Sequence, residues 1–349
     1  MFSMRALATL AFSTLAIHAE VFYADKSHLL HSIDSSGARR EIKGKGEWQR
    51  TRRQHILANM QAVMGPLPAK SNAPLDVQVI EEVKSEKFTR RKITFVSEGQ
   101  DRVPAYVFLP NAKGRRPAML CLHQTTRVGK AEPAGVDGKA NLHYARELAE
   151  RGFVTIAPDY PNYGDYKFDP YAAGYVSATM KGIVNHRRAV DVLVAMANVD
   201  AKRIGVIGHS LGGHNSLFVA VFDDRLRAVV TSCGFNAFPK YFNGNLKGWS
   251  HRGYMPRIAE LYAMNPAKMP FDFTEILGVI APRAVFINAP TGDANFDVSG
   301  VHDCVRAASP IYKMYGKSAN LVAVHPDAQH DFPPAIREQA YEFLTRVLR

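Results

Sequence analysis

The chain has 349 residues, of which 46% are hydrophobic and 22% charged, enough for one large α/β domain and an extension. Its formal net charge is +12. The basic residues are scattered in short pairs, and the absence of a basic stripe with interleaved aromatic residues argues against nucleic-acid binding. The positive charge instead favours solubility or attraction to acidic polymers.

The first 19 residues have the pattern of a secretory signal peptide. Arg5 supplies a short basic region, residues 6–17 form an apolar stretch, and Ala19 is a small residue at the expected cleavage position. The stretch is too short to span a bilayer, and no other segment comes close to the required length. We therefore expect a secreted or periplasmic protein with no membrane span.

Residues 20–89 are predicted to form an N-terminal extension before a main domain over residues 90–349. Within the extension, apolar residues recur at helical spacing from residue 47 to 64, and Gly65 and Pro66 then end the pattern. An extension with one helix is therefore expected.

Alternating strand and helix patterns fill the main domain. This alternation predicts a mostly parallel, twisted sheet with right-handed crossovers and helices on both faces. Residues 91–96 and 103–109 should add an antiparallel pair at its edge. The remaining predicted strands cover residues 117–122, 153–157, 203–207, 228–232, 283–288 and 321–324, and the predicted helices cover 141–151, 178–197, 211–222 and 335–348.

The sequence GHSLG at residues 208–212 matches the pattern G-x-S-x-G. An apolar strand precedes it and a helix rich in small residues follows, so Ser210 is expected on a tight strand-to-helix turn with its hydroxyl exposed. Glycines flank the serine because a side chain there would clash with the neighbouring strand and helix. The context predicts that Ser210 is a catalytic nucleophile.

A serine hydroxyl needs a base, and His330 is the preferred candidate among 13 histidines. It lies between the last predicted strand and the last predicted helix, on a loop at the carboxyl end of the sheet. His325 is the alternative. The acid is expected after the preceding strand, where Asp293 is preferred over Asp297, and the residue not used as the acid should cap the next helix.

An oxyanion hole requires two N–H donors. The backbone N–H of Leu211, directly after the nucleophile, is one candidate, and that of Gln124 or Thr125, after the strand at 117–122, is the other. His123 is expected to brace this loop by hydrogen bonding, and it is also a candidate for contact with substrate.

Residues 234–272 interrupt the alternating pattern with many aromatic residues mixed with Gly, Asn and Pro. They are predicted either to form a loop packed by its own aromatics or to cap the site. In the second case Trp249 would stack on sugar rings, and Tyr160 would contribute to the opposite wall.

The three cysteines cannot form a disulfide framework, although one bridge between Cys233 and Cys304 is possible. No metal-ligand cluster is evident at recognisable spacing. We therefore expect neither a metal nor another cofactor, and the sequence leaves the oligomeric state open.

Four motifs together resemble the α/β-hydrolase superfamily: LHQT at 122–125, GHSLGG at 208–213, Asp293, and HDFP at 330–333. Within it the chain is similar to the bacterial acetyl xylan esterase and dienelactone-hydrolase-like branch. The N-terminal segment, with Trp48 and MGPLP at 64–68, resembles the leader of that branch. The resemblance covers roughly residues 45–349. It implies an α/β-hydrolase fold with a Ser–His–Asp triad and an ester of a plant or algal polysaccharide as substrate.

Two departures from the family pattern matter. The His-Gly pair usual after the early strand is His123-Gln124 here, and a serine replaces the cysteine nucleophile of dienelactone hydrolases proper. The resemblance implies removal of acetyl or methyl ester groups. Two alternatives stay open: a serine peptidase of the prolyl-oligopeptidase type, disfavoured by the short N-terminal segment, and a non-catalytic glycan-binding protein on the same scaffold.

Overall fold

The computed structural model of the protein describes residues 21–348. The predicted signal peptide lies outside the described residues. Within residues 21–348, none of the helices combines the length and the apolar character that crossing a membrane requires.

Nine strands form one mixed sheet in the order β11-β10-β9-β8-β6-β7-β5-β4-β3, and a separate hairpin joins β1 to β2. The pairs from β11 to β7 are parallel, and those from β7 to β3 are antiparallel. The strands are β1 (His31–Ile33), β2 (Arg39–Glu41), β3 (Gln78–Lys84), β4 (Phe88–Val96), β5 (Arg102–Pro110), β6 (Arg116–Leu122), β7 (Val154–Pro158), β8 (Val199–His209), β9 (Leu226–Ser232), β10 (Ala284–Asn288) and β11 (Leu321–Val324).

Helices cover both faces of the sheet, as predicted. Strand side chains pointing to one face pack with α2, α4, α5, α7 and α8, and those pointing to the other pack with α3 and α9. The helices are α1 (Lys45–Arg50), α2 (Arg52–Met64), α3 (Tyr144–Glu150), α4 (Ala178–Ala195), α5 (Leu211–Phe222), α6 (Arg257–Glu260), α7 (Phe273–Ile280), α8 (Val298–Met314) and α9 (Pro334–Val347).

The N-terminal segment is more closely joined to the main domain than its sequence indicates. The predicted helix over 47–64 is divided at Thr51 into α1 and α2, and β3 extends the main sheet as an edge strand. Trp48 is fully buried in the main core. Arg52 on α2 forms an ion pair of 2.7 Å with Glu275 on α7, and both side chains are inaccessible to solvent. Residues 45–64 are therefore part of the core of the domain.

The aromatic insertion at 234–272 contains short helical turns and α6, and it ends at α7. Asp272 caps α7 in a capping box, in which the Glu275 carboxylate accepts the backbone N–H of Asp272. Trp249, Phe238 and Phe271 of the insertion belong to the same buried cluster as the main core. The insertion is thus a packed continuation of the domain.

Candidate active site

Ser210 lies on the turn between β8 and α5. Its backbone has φ +52° and ψ −115°, a conformation that is strained for a residue with a side chain. The Ser210 N–H donates to the carbonyl of Ser232 at 2.8 Å. A Cβ on Gly208 would overlap the backbone of Gly212, and one on Gly212 would overlap the carbonyl of Leu122. The two glycines therefore allow the turn to close against β6.

His330 and Asp293 form a direct hydrogen-bonded pair. Nδ1 of His330 lies 2.9 Å and 3.0 Å from the two carboxylate oxygens of Asp293. The Asp293 side chain is 1% exposed, and the carboxylate also accepts the N–H groups of Asn295 at 2.8 Å and Phe296 at 3.2 Å. The His330 side chain is 21% exposed. Because Nδ1–H donates to the carboxylate, Nε2 is left as the basic nitrogen.

The two alternative residues have other contacts. Nδ1 of His325 lies 3.0 Å from the carbonyl of Ala289, and its ring packs edge-on against His302 at 4.5 Å. Asp297 accepts the N–H of Ser299 at 2.7 Å as the N-cap of α8, the role predicted for the residue not used as the acid.

The loop bearing His330 is tied to the ends of two strands. At the end of β10, Asn288 donates from Nδ2 to Ser232 Oγ at 2.8 Å and to the carbonyl of Asp331 at 2.9 Å. Ser232, the last residue of β9, is also 2.9 Å from Nδ1 of His209. This network was not predicted from the sequence. The available signal was a polar residue ending each of two apolar strands, since neighbouring parallel strands bring such residues together.

His209 packs directly beside His330, with ring centroids 4.8 Å apart. Burial holds the pKa of His209 well below its usual range. His209 therefore stays neutral at physiological pH.

The loop after β6 reaches the turn that carries Ser210. Tyr160 N–H donates to Nε2 of His123 at 3.0 Å, so Nδ1 carries the proton and donates to the Gln124 carbonyl at 2.6 Å. The Gln124 side chain donates to Glu132 at 3.0 Å. Through these bonds His123 holds the loop after β6 against the segment at Tyr160, which is the structural role expected of it. Leu211 begins α5, where the first N–H groups have no partner within the helix.

A buried ion pair fixes the other end of this loop. Lys130 Nζ lies 2.7 Å from Asp159 Oδ2, and the backbone N–H of Lys130 donates to Asp159 Oδ1 at 2.8 Å. Both side chains are almost inaccessible to solvent. The loop that carries Gln124 and Thr125 is thus held by hydrogen bonds of His123 at one end and by the bonds of Lys130 to Asp159 at the other.

The expected sugar-binding roles of Trp249, Tyr160 and His123 do not agree with their burial. Each is only 2% exposed. Trp249 packs against His214 at 4.7 Å and against several other rings, so in this structure it has no face on which a sugar could stack. Tyr254, another aromatic residue of the insertion, is partly exposed, and its hydroxyl lies 3.2 Å from Thr125 Oγ1.

The disulfide that the sequence allowed between Cys233 and Cys304 does not form. Cys233 and Cys304 are both free and buried. Cys304 belongs to α8, whereas Cys233 follows β9, and its Sγ lies 3.3 Å from the carbonyl of Asp331.

Comparison with known proteins agrees with this architecture. The chain is 25% identical over 302 residues to a Bacillus subtilis protein provisionally named the hydrolase YtaP, covering 82% of this chain and 96% of that one. It is 26% identical over 139 residues to the carbohydrate esterase MZ0003 of an unknown prokaryotic organism, covering 37% of this chain and 31% of that protein.

Among solved structures, a glucuronoyl esterase from Solibacter usitatus is similar with a TM-score of 0.73 and 19% identity, covering 91% of this chain and 97% of that one. Acetyl xylan esterase 1 from a Thermoanaerobacterium species has a TM-score of 0.57 and 17% identity, covering 85% and 94%. The model of the alpha/beta hydrolase family matches residues 136–343, more than half of the chain. The chain therefore belongs to the α/β hydrolase family.

Proposed function

We propose that the protein is a secreted serine esterase that hydrolyses acetyl or methyl esters on plant or algal polysaccharide. The observation that carries the proposal is the bond from His330 to the buried carboxylate of Asp293, on the same edge of the sheet as the strained turn at Ser210. A serine hydrolase needs its nucleophile, general base and orienting acid close together, so the placement of these three residues at one edge of the sheet supports the proposal.

In the proposed reaction, Nε2 of His330 accepts the proton of Ser210 Oγ as the oxygen attacks the ester carbonyl. Asp293 keeps the proton on Nδ1 and stabilises the imidazolium that forms. The backbone N–H groups of Leu211 and of Gln124 or Thr125 stabilise the oxyanion, each contributing roughly 2.7–4 kcal/mol to lowering the barrier.

The leaving alcohol takes the proton from His330 as the tetrahedral intermediate collapses to an acyl-enzyme. For an acetyl ester, the leaving group is a sugar hydroxyl and the enzyme is acetylated. For a methyl ester, methanol leaves and the uronic acid is bound to Ser210. Water, deprotonated by His330, then releases the acid and regenerates the serine.

Three observations support the substrate class and the location. The curated relatives include a carbohydrate esterase, and the structural neighbours include glucuronoyl and acetyl xylan esterases. The net charge of +12 favours an acidic polymer. The first 19 residues have the pattern of a signal peptide.

Two other functions are tested by the same experiment. A peptidase of the prolyl-oligopeptidase type would use the same three residues on an amide, and a non-catalytic protein would bind glycan without turnover. We therefore suggest p-nitrophenyl acetate, acetylated xylan, methyl-esterified pectin, a glucuronoyl ester and an aminoacyl-anilide as substrates, with Ser210→Ala as the control. Turnover of a glycan ester and not of the anilide would support the proposal. Preference for the anilide, or no turnover with glycan binding retained, would overturn it.

A further inference from the structure

Three residues with metal-binding side chains converge beside the candidate catalytic residues. His209 ends β8, Cys233 follows β9, and His330 lies on the loop before α9. One ligand atom from each residue, an imidazole nitrogen or the thiol sulfur, lies within 4.8 Å of the other two. Cys233 lies 24 positions after His209, and His330 lies 97 positions after Cys233. These separations match no short metal-binding motif, so the sequence did not indicate the cluster.

The donor set suits a borderline-soft metal ion. Imidazole nitrogen and thiolate sulfur bind Zn²⁺ at about 2.0–2.1 Å and 2.3 Å, so two nitrogens and one sulfur around a tetrahedral ion lie about 3.3–3.6 Å apart. Closing the cluster from 4.8 Å therefore needs shifts of about 1 Å, which small side-chain rotations can supply. A water molecule would complete the four ligands.

The surroundings of the two imidazoles resemble those of metal-bound histidines. Such histidines usually form a second hydrogen bond through the other ring nitrogen, which fixes the orientation of the ring. Here Nδ1 of His330 is bonded to Asp293, and Nδ1 of His209 is bonded to Ser232 Oγ. In both rings Nε2 takes no part in these bonds, and the proposed site uses that nitrogen.

We propose that His209, Cys233 and His330 form a binding site for Zn²⁺, and that its occupation inhibits the enzyme reversibly. The Cys233 thiol loses its proton to solvent when the sulfur–metal bond forms, and no oxidation is involved. A metal on His330 occupies the lone pair that would otherwise accept the Ser210 proton. The inhibition rests on the proposed esterase function, whereas the binding does not.

Zinc binding to the full mature chain is measured directly by isothermal titration calorimetry. We expect one equivalent to bind, and Cys233→Ser to raise Kd by at least about tenfold, since a neutral hydroxyl is a poor substitute for a thiolate. Cys304→Ser is the matched control, because this buried cysteine lies in α8 outside the cluster, and it should leave Kd unchanged. Equal Kd values for the wild type and Cys233→Ser would overturn the proposal.

A histidine pair near the surface is a competing zinc site. His302 is exposed and lies 4.5 Å from His325 between ring centroids. The variant His302→Ala should bind zinc like the wild type, and loss of the binding in this variant would place the metal at the surface pair instead. If Cys233→Ser does not fold, His209→Gln is titrated in its place and should show the same weakening.

Cobalt binding can be measured by absorption, independently of enzyme activity and of the calorimetry. Co²⁺ bound by a thiolate produces a sulfur-to-metal absorption band, which should appear in the wild type and in Cys304→Ser and be absent from Cys233→Ser. A wild-type spectrum without that band would exclude Cys233 as a ligand and overturn the three-residue site.

The inhibition is tested on the hydrolysis of p-nitrophenyl acetate. Added Zn²⁺ should abolish turnover and excess chelator should restore it, with the zinc concentration for half inhibition at least about tenfold higher in Cys233→Ser, each variant being compared with its own metal-free rate. Zinc binding without inhibition would overturn the inhibitory role. If the protein has no esterase activity, the calorimetric and cobalt measurements still test the binding.

Discussion

Nδ1 of His330 lies within hydrogen-bonding distance of both carboxylate oxygens of Asp293, at 2.9 Å and 3.0 Å. This pair forms between a loop after β10 and a loop after β11, two adjacent parallel strands.

We expect Ser210→Ala and His330→Ala each to reduce kcat by about 10⁴–10⁶, because triad members act as a unit. Steady-state kinetics on p-nitrophenyl acetate measure the loss.

Folding controls accompany these variants. Ser210→Ala and His330→Ala should unfold at urea concentrations close to that of the wild type. His325→Ala should retain most of the activity, because Nδ1 of His325 is bonded to the carbonyl of Ala289 and Asp293 is bonded to His330. Activity lost in His325→Ala but retained in His330→Ala would assign the base to His325 instead.

Replacement of the acid distinguishes Asp293 from Asp297. Asp293→Asn should reduce kcat by several orders of magnitude, since an amide can hold the imidazole in the wrong tautomer. Asp297→Asn should have little effect on kcat, because Asp297 caps α8 and asparagine is also a good N-cap. The two variants are compared at equal concentrations of folded protein, and the opposite ranking would identify Asp297 as the acid.

The sequence was sufficient to predict where Ser210, Asp293 and His330 lie in the fold, for physical reasons. A strand, a glycine-flanked serine and a helix are local features, and loops at the carboxyl ends of adjacent parallel strands necessarily meet, as at Asp293 and His330. Strand β3 was missed because all its residues are exposed, so its side chains show no alternation between apolar and polar.

The role of the aromatic insertion could not be predicted from its composition. Its composition fits both a sugar platform and a packed loop, because aromatic side chains serve either purpose, and only burial distinguishes them. Asn288 was overlooked for a related reason: a polar residue at one strand end becomes a signal only when it is paired with the polar residue that ends the neighbouring strand, here Ser232.

Trp249 should behave as a packing residue. The indole is 2% exposed and packs against Phe238, Tyr254 and Phe273. Trp249→Ala should therefore lower the free energy of unfolding by about 3–5 kcal/mol, and it should reduce kcat/KM on a small chromogenic ester and on an acylated oligosaccharide to a similar extent. Trp249→Phe should be milder in both measurements. A loss confined to the oligosaccharide would restore the sugar-binding role.

The buried pair of Arg52 and Glu275 joins the N-terminal segment to α7. Arg52→Met should reduce the free energy of unfolding by about 3–5 kcal/mol, because Glu275 is left as a buried, unpaired charge. The double variant Arg52→Met/Glu275→Gln should recover part of the loss, since neither position then carries a charge and the glutamine oxygen can still accept the Asp272 N–H. Urea unfolding measures both, and a double variant less stable than Arg52→Met would contradict the explanation.

Two buried histidines should make the protein less stable in mild acid. Burial lowers the pKa of His214, and likewise that of His186, to about 3, whereas an unfolded chain has a histidine pKa of about 6.5. Below pH 6.5 the unfolded state therefore binds protons that the folded state does not, and stability falls as the pH decreases toward 3. Each residue contributes a slope of up to about 1.4 kcal/mol per pH unit. Urea unfolding at several pH values between 7.5 and 5 should show a flatter dependence for His214→Gln than for the wild type, while the exposed His302→Gln should retain the wild-type slope. Identical slopes for His214→Gln and the wild type would show that His214 does not remain neutral in the folded protein.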